Sequence, residues 1–153
     1  MESLAVKPLT VLLADDSDDF RENLSEFLKS QPGIEIVGDA CGGLETLYKA
    51  NSLHPDVILL DISMSGISGF EVAQLLKEYL PATMIVFLTV HEEPAYMTLA
   101  ETVGADGFVC KRSVKEELPL ALQRIRQGIR KHVFNSSSMT ATTWYFGELD
   151  NNM

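Results

Sequence analysis

Cysteine is nearly missing from this chain. Cys41 and Cys110 are its only two, too few for a disulfide scaffold and without metal-ligand spacing. Basic residues are scarce as well: 12 lysines and arginines stand against 22 aspartates and glutamates, for a net charge of −10. A surface of that sign repels phosphate backbones, which argues against direct nucleic-acid binding by this chain. No apolar run approaches the roughly 20 residues needed to span a bilayer. The opening MESLAVKPLT has neither the basic start nor the apolar stretch of a secretory signal. The expectation is an acidic, cytoplasmic globular protein with no membrane partner. Its 153 residues, 46% of them hydrophobic, suffice for one buried core and exclude a disordered chain.

What is present is alternation. Short apolar runs trade places with helix-like stretches, the pattern of β-α-β units around a parallel sheet. Leu9-Thr10-Val11-Leu12-Leu13 reads as a strand covered on both faces. A helix follows from about Asp18, with Phe20, Leu24, Phe27 and Leu28 at helical spacing and Pro32-Gly33 to stop it. Ile34 to Gly38 is the second strand, and Leu44, Leu47 and Tyr48 mark the next helix. Val57-Ile58-Leu59-Leu60 runs directly into Asp61, and Phe70, Ala73, Leu76 and Leu80 outline a helix that Pro81 ends. Met84 to Leu88 leads to Thr89, a weaker helix covers about Pro94 to Val103, and Gly107 to Cys110 is a short fifth strand. Leu118, Leu122, Ile125 and Ile129 give the last helix its buried stripe. One α/β domain over residues 1–130 results, with no internal repeat. Residues 131–153 carry Asn135-Ser136-Ser137-Ser138 and then Trp144-Tyr145-Phe146 without an apolar period. They read as a C-terminal tail or the start of a linker, because so few residues bury no core of their own.

Ligands of open α/β sheets bind beyond the carboxyl ends of the strands, so the residues at those ends carry the functional signal. They are Asp15 and Asp16 after the first strand, Asp61 after the third, Thr89 after the fourth and Lys111 after the fifth. Carboxylates crowded together repel one another and raise each other's pKa. A divalent cation resolves that conflict, and oxygen-only ligation with room for water suits Mg2+.

The motifs Leu13-Ala14-Asp15-Asp16, His54 to Met64 (HPDVILLDISM), Thr89 and Phe108-Val109-Cys110-Lys111 together resemble the response-regulator receiver domain of two-component signalling. The likeness covers about Leu9 to Gly128, and the run VGADGFVCK from Val103 to Lys111 is similar to the NarL/FixJ-type subgroup. The resemblance implies a flavodoxin-like (βα)5 fold, a doubly wound five-stranded parallel sheet in strand order 2-1-3-4-5. It implies that Asp61 is the phosphoacceptor, taking a phosphoryl group from a histidine kinase or phosphodonor. Asp15, Asp16, Asp61 and the Ser63 backbone carbonyl are implied to hold Mg2+, with Lys111 pairing with the phosphoryl group. Thr89 and Phe108 are implied to form the switch that relays phosphorylation to a protein-interaction surface. A histidine kinase or phosphotransfer protein docks on the first helix, through Phe20, Asn23 and Leu24, in this reading. Output is transcriptional control through a DNA-binding domain absent from this chain. A homodimer is among the expected partners, and a stand-alone receiver or pseudo-receiver acting by protein contact, without DNA-binding output, is the alternative. Such a domain is no enzyme beyond its own aspartyl phosphorylation and dephosphorylation.

Plainer readings compete at each position. Asp15 and Asp16 also suit the acidic start of a helix, where the dipole favours them. Phe108 suits the core, and Cys110 a small buried hydrophobe rather than a redox thiol. Arg124, Arg126, Arg130 and Lys131 suit a solvated, dipole-paired helix end. A haloacid-dehalogenase-type phosphatase also uses an aspartate nucleophile, but it wants a second acid where Ser63 stands. Three departures from the receiver pattern stand out: no proline follows Met64, Val90 is bulky beside Thr89, and Arg112 replaces a proline after Lys111. A non-proline cis bond costs about 2.5–4 kcal/mol, so a trans bond is expected between Lys111 and Arg112.

Overall fold

The strand segments pair in the order 2-1-3-4-5 that the resemblance implies. In the computed structural model, which describes residues 7–128, five strands and five α-helices alternate. The strands are β1 (Leu9–Ala14), β2 (Ile34–Ala40), β3 (Val57–Asp61), β4 (Met84–Thr89) and β5 (Gly107–Cys110). The helices are α1 (Asp18–Lys29), α2 (Gly43–Leu53), α3 (Gly69–Tyr79), α4 (Pro94–Thr102) and α5 (Val114–Arg126). All pairings are parallel and the sheet order is β2-β1-β3-β4-β5.

The two-residue period of a strand divides the apolar residues between two cores. Leu12, Ala14, Ile58, Leu60, Ile85, Phe87 and Phe108 face α2, α3 and α4. Val11, Leu13, Val57, Leu59, Val86, Leu88 and Val109 face α1 and α5. Both sides of β3 are thereby covered, which is why every one of its residues is buried. The register of β2 against β1 slips between Val11 and Leu12 of β1, so that Val37 is unmatched and the edge strand bulges.

Local chemistry sets the helix starts. Ser17 caps α1 by accepting a hydrogen bond from Phe20 N, and Asp18 and Asp19 follow in its first turn. Ser68 and Glu71 form a reciprocal capping box at α3, and Pro94 opens α4. Helix α2 differs in part from its apolar marks: Leu47 packs against the core as expected, but Leu44 and Tyr48 are exposed, and Thr46 and Ala50 are buried in their place. At the end of α5, Arg126 is no solvated charge, since its guanidinium donates to Gly33 O at 2.6 Å and ties α5 to the start of β2. Ile129, Arg130, Lys131 and the Trp144-Tyr145-Phe146 cluster lie outside the described residues.

Candidate functional site

The carboxyl rim of the sheet gathers the acidic residues that the strand ends carry. Asp15 follows β1 directly; its amide donates to Ala40 O at 3.0 Å, which keeps it in line with β2 for one more residue. Its carboxylate is buried, and Oδ1 accepts from Ser17 N at 2.8 Å. Asp16 is exposed, and its Oδ2 accepts from Ser65 N at 3.2 Å. Asp61 ends β3 at 4% exposure, with Oδ1 accepting from Ser63 N at 3.1 Å. The loop after Asp61 is drawn tightly under α3: a Cβ on Gly69 would run into the Asp61 carbonyl and lie 2.8 Å from Ile62 Cα. Only glycine permits that approach.

Among the described residues, one cation reaches both Asp15 and Asp61. Lys111, at the end of β5, places Nζ 2.6 Å from Asp15 Oδ2 and 3.6 Å from Asp61 Oδ2. It also sits 4.3 Å from the centroid of the Phe20 ring, whose face steadies the ammonium. The Lys111–Arg112 bond is trans, as expected, since the described residues contain no cis peptide. Arg112 reaches back to Glu92 at 2.7 Å, tying the loop after β5 to the loop after β4. Burial first, then repulsion from Asp15, hold the Asp61 carboxyl above the usual range; Lys111 and the Ser63 amide oppose them without cancelling them.

That balance bears on a metal. Oxygens of Asp15, Asp16 and Asp61 lie within 4.8 Å of one another, and the near-buried Asp61 keeps an unrelieved cost for its charge. An all-carboxylate donor set with one exposed member is compatible with Mg2+, which prefers few carboxylates and several waters.

Thr89 and Ser63 are linked through a residue between them. The Thr89 side chain is fully buried, and its Oγ1 accepts from His91 N at 2.9 Å. The His91 ring shares a 3.1 Å hydrogen bond with Ser63 Oγ through Nε2 and stacks on Tyr96 at 4.3 Å between centroids. Phe108 is not at the rim. It lies in the core on the α3 and α4 side, paired in register with Phe87, at 1% exposure. Val90 is 69% exposed, and Cys110 is buried as a small hydrophobe. Arg21 escaped the sequence reading, although its place three residues after Asp18 is a helical ion-pair spacing. It bonds Asp15 O, Asp39 and Asp18 together.

Comparisons with known proteins converge on one family. The model of the response regulator receiver domain matches residues 11–123. Nitrate/nitrite response regulator protein NarL of Escherichia coli K12 is 36% identical over 124 residues, covering 80% of this chain and 56% of the relative. Response regulator GacA of Pseudomonas viridiflava is 35% identical over 122 residues, covering 80% and 57%. The chain thus spans little more than half the length of these relatives. Among solved structures, the response regulator domain of Thermotoga maritima CheB is 33% identical with a TM-score of 0.70, covering 80% of this chain and 97% of that one. A LuxR-family two-component response regulator from Aurantimonas sp. SI85-9A1 has a TM-score of 0.77 at 27% identity, covering 81% and 89%.

Proposed function

The chain belongs to the response regulator receiver domain family, and on that premise we propose that Asp61 is its phosphoacceptor. The carrying observation is the near-buried Asp61 facing Asp15 and Asp16 with Lys111 between them. An Asp61 carboxylate oxygen attacks the phosphorus of a phosphohistidine or small acyl phosphate. A new O–P bond forms as the donor's P–N or P–O bond breaks, and its electron pair leaves with the donor. Lys111 meets the arriving phosphoryl oxygens as a point charge. Asp15, Asp16 and Asp61, with the Ser63 carbonyl, are the groups that would hold Mg2+, which when bound offsets charge on the transferred group.

Thr89 and Phe108 act downstream in this reading. The Thr89 hydroxyl already accepts from His91 N and keeps its proton for a phosphoryl oxygen. Moving it pulls on the His91 loop, and the buried Phe108 ring re-packs into the space released. Output is a protein contact that controls transcription through a domain outside this chain. The kinase or phosphotransfer partner meets α1, where Phe20, Asn23, Leu24, Phe27, Val114 and Lys115 line a groove of about 530 Å³. Among the described residues no helix is long and apolar enough to cross a membrane. Residues 1–130 form the receiver and the rest a tail or linker.

Incubation with acetyl phosphate and Mg2+ tests the proposal by intact mass. The expected result is a gain of one phosphoryl group, lost on chelation and in Asp61→Ala. A parent mass that stays unchanged over a time course beginning within seconds of mixing overturns it, as does full labelling of Asp61→Ala.

A further inference from the structure

Beside the acidic rim stands a guanidinium bonded to three elements. Arg21, in the first turns of α1, spends its whole guanidinium on three elements. Nη1 donates to the Asp15 carbonyl at 2.8 Å, Nε to Asp39 Oδ2 at 2.7 Å, and Nη2 to Asp18 Oδ1 at 2.9 Å. The side chain is only 16% exposed, and Asp39 is itself fixed because Lys49 Nζ donates to its carbonyl at 2.6 Å. The fork therefore joins the end of β1 to the end of β2 and the start of α1.

The Asp15 carbonyl belongs to the peptide that links Asp15 to Asp16. Fixing that oxygen fixes the rotation of the peptide plane, and with it the direction in which the Asp16 side chain leaves the backbone. Asp16 needs such a constraint. It is exposed, and the side-chain bonds that reach it come from Ser65 across the rim at 3.2 and 3.4 Å. Asp15, by contrast, is held by burial, by Ser17 and by Lys111. We infer that Arg21 is a positioning residue for divalent-cation binding, acting by holding the Asp15–Asp16 peptide so that the Asp16 carboxylate faces Asp61. The inference rests on the metal reading proposed above.

Its sign is diagnostic. Coulomb's law alone makes Arg21 unfavourable to a nearby cation, and removing it frees the negative charge of Asp18 and Asp39. Loss of the side chain should then tighten Mg2+ binding. Positioning predicts the reverse, since removing a group that orients a ligand costs affinity on the order of tenfold.

Amide NMR shifts followed during titration with Mg2+ alone, in the absence of any phosphodonor, measure this in the full chain. Arg21→Gln is expected to bind about tenfold more weakly than the parent, with the Asp16 and Ser65 amides already shifted before metal is added. Arg21→Lys keeps the charge and guards against a folding defect; lacking the planar fork, it is expected to weaken binding too. Parent-like or tighter affinity in either folded variant overturns the inference while leaving the metal reading intact. A parent that shows no saturable Mg2+ shifts overturns both.

Discussion

Two buried carboxylates sit at opposite ends of the same sheet, and their surroundings differ in kind. Asp106, before β5 at the amino rim, is 8% exposed. Its Oδ2 accepts from Lys77 Nζ at 2.8 Å and from Ile85 N at 2.9 Å, so one oxygen ties α3 and β4 to the start of β5. Nearby, Asp56 Oδ2 accepts from both Thr10 N and Thr10 Oγ1 at 2.9 and 3.0 Å. Asp61, at the carboxyl rim and 4% exposed, has the Ser63 amide at 3.1 Å and a cation no nearer than 3.6 Å. That cation leans toward Asp15, 1.0 Å closer (3.6 less 2.6). One rim is charge-balanced by the fold itself. The other is left short of positive charge and donors, which is the state that favours a bound cation.

The contrast can be broken most forcefully at the balanced end. Asp106→Ala strands a largely buried Lys77 ammonium and is expected to cost about 3–5 kcal/mol, read as a lower midpoint in urea. The phosphorylation proposed at Asp61 is expected to persist in whatever fraction stays folded. A loss below 1 kcal/mol would show the amino rim to be less dependent on that pair than its geometry implies.

Lys111→Met is the matching change at the functional rim, with a smaller expected loss of about 2 kcal/mol in metal-free buffer. The difference arises because this rim opens to water at Asp16 and because Asp61 can take up a proton in place of the lost cation. Millimolar Mg2+ is expected to recover most of that stability, and thermal melts with and without the ion measure it. No recovery would break the claim that the rim lacks a cation.

Asp61→Asn should move the other way. Removing a charge that burial and Asp15 disfavour is expected to raise metal-free stability by about 1 kcal/mol, or 2–4 °C in melting temperature. The sign follows from the raised carboxyl pKa. A carboxyl that holds its proton more tightly when folded adds stability below its unfolded pKa of about 4. It loses that contribution as pH rises through its folded pKa. The gap between Asp61→Asn and the parent should therefore widen as pH rises from about 4 to 7. A gap independent of pH would show that Asp61 pays no burial cost.

The Lys111–Arg112 peptide and the second helix illustrate how far one-dimensional reasoning reaches. The trans bond was legible because its cost is a property of one peptide, independent of neighbours. The contact face of α2 was not: Leu44 and Tyr48 keep a helical period yet point outward. Gly43 and Thr46 are what fit, because a Cβ on Gly43 would collide with the Ile67 side chain. A periodic pattern shows that a helix forms, while the shape of the opposing surface decides which side of it is buried. The hydrogen bond between Ser63 and His91 joins two separate loops, and the stacking of His91 on Tyr96 adds α4; neither contact follows from a local pattern.

By itself, the sequence determined the five βα units, the parallel sheet and the set of residues at its strand ends. Those follow from apolar period and strand direction, which are local. Only the tertiary structure decided how the charges divide. It gave Lys111 to Asp15 before Asp61, recruited Arg21 and Asp39 to hold the acidic loop, and satisfied Asp106 with Lys77. Such pairings depend on distances between segments far apart in the chain, and electrostatic energy falls with exactly that spatial separation, whatever the separation in sequence.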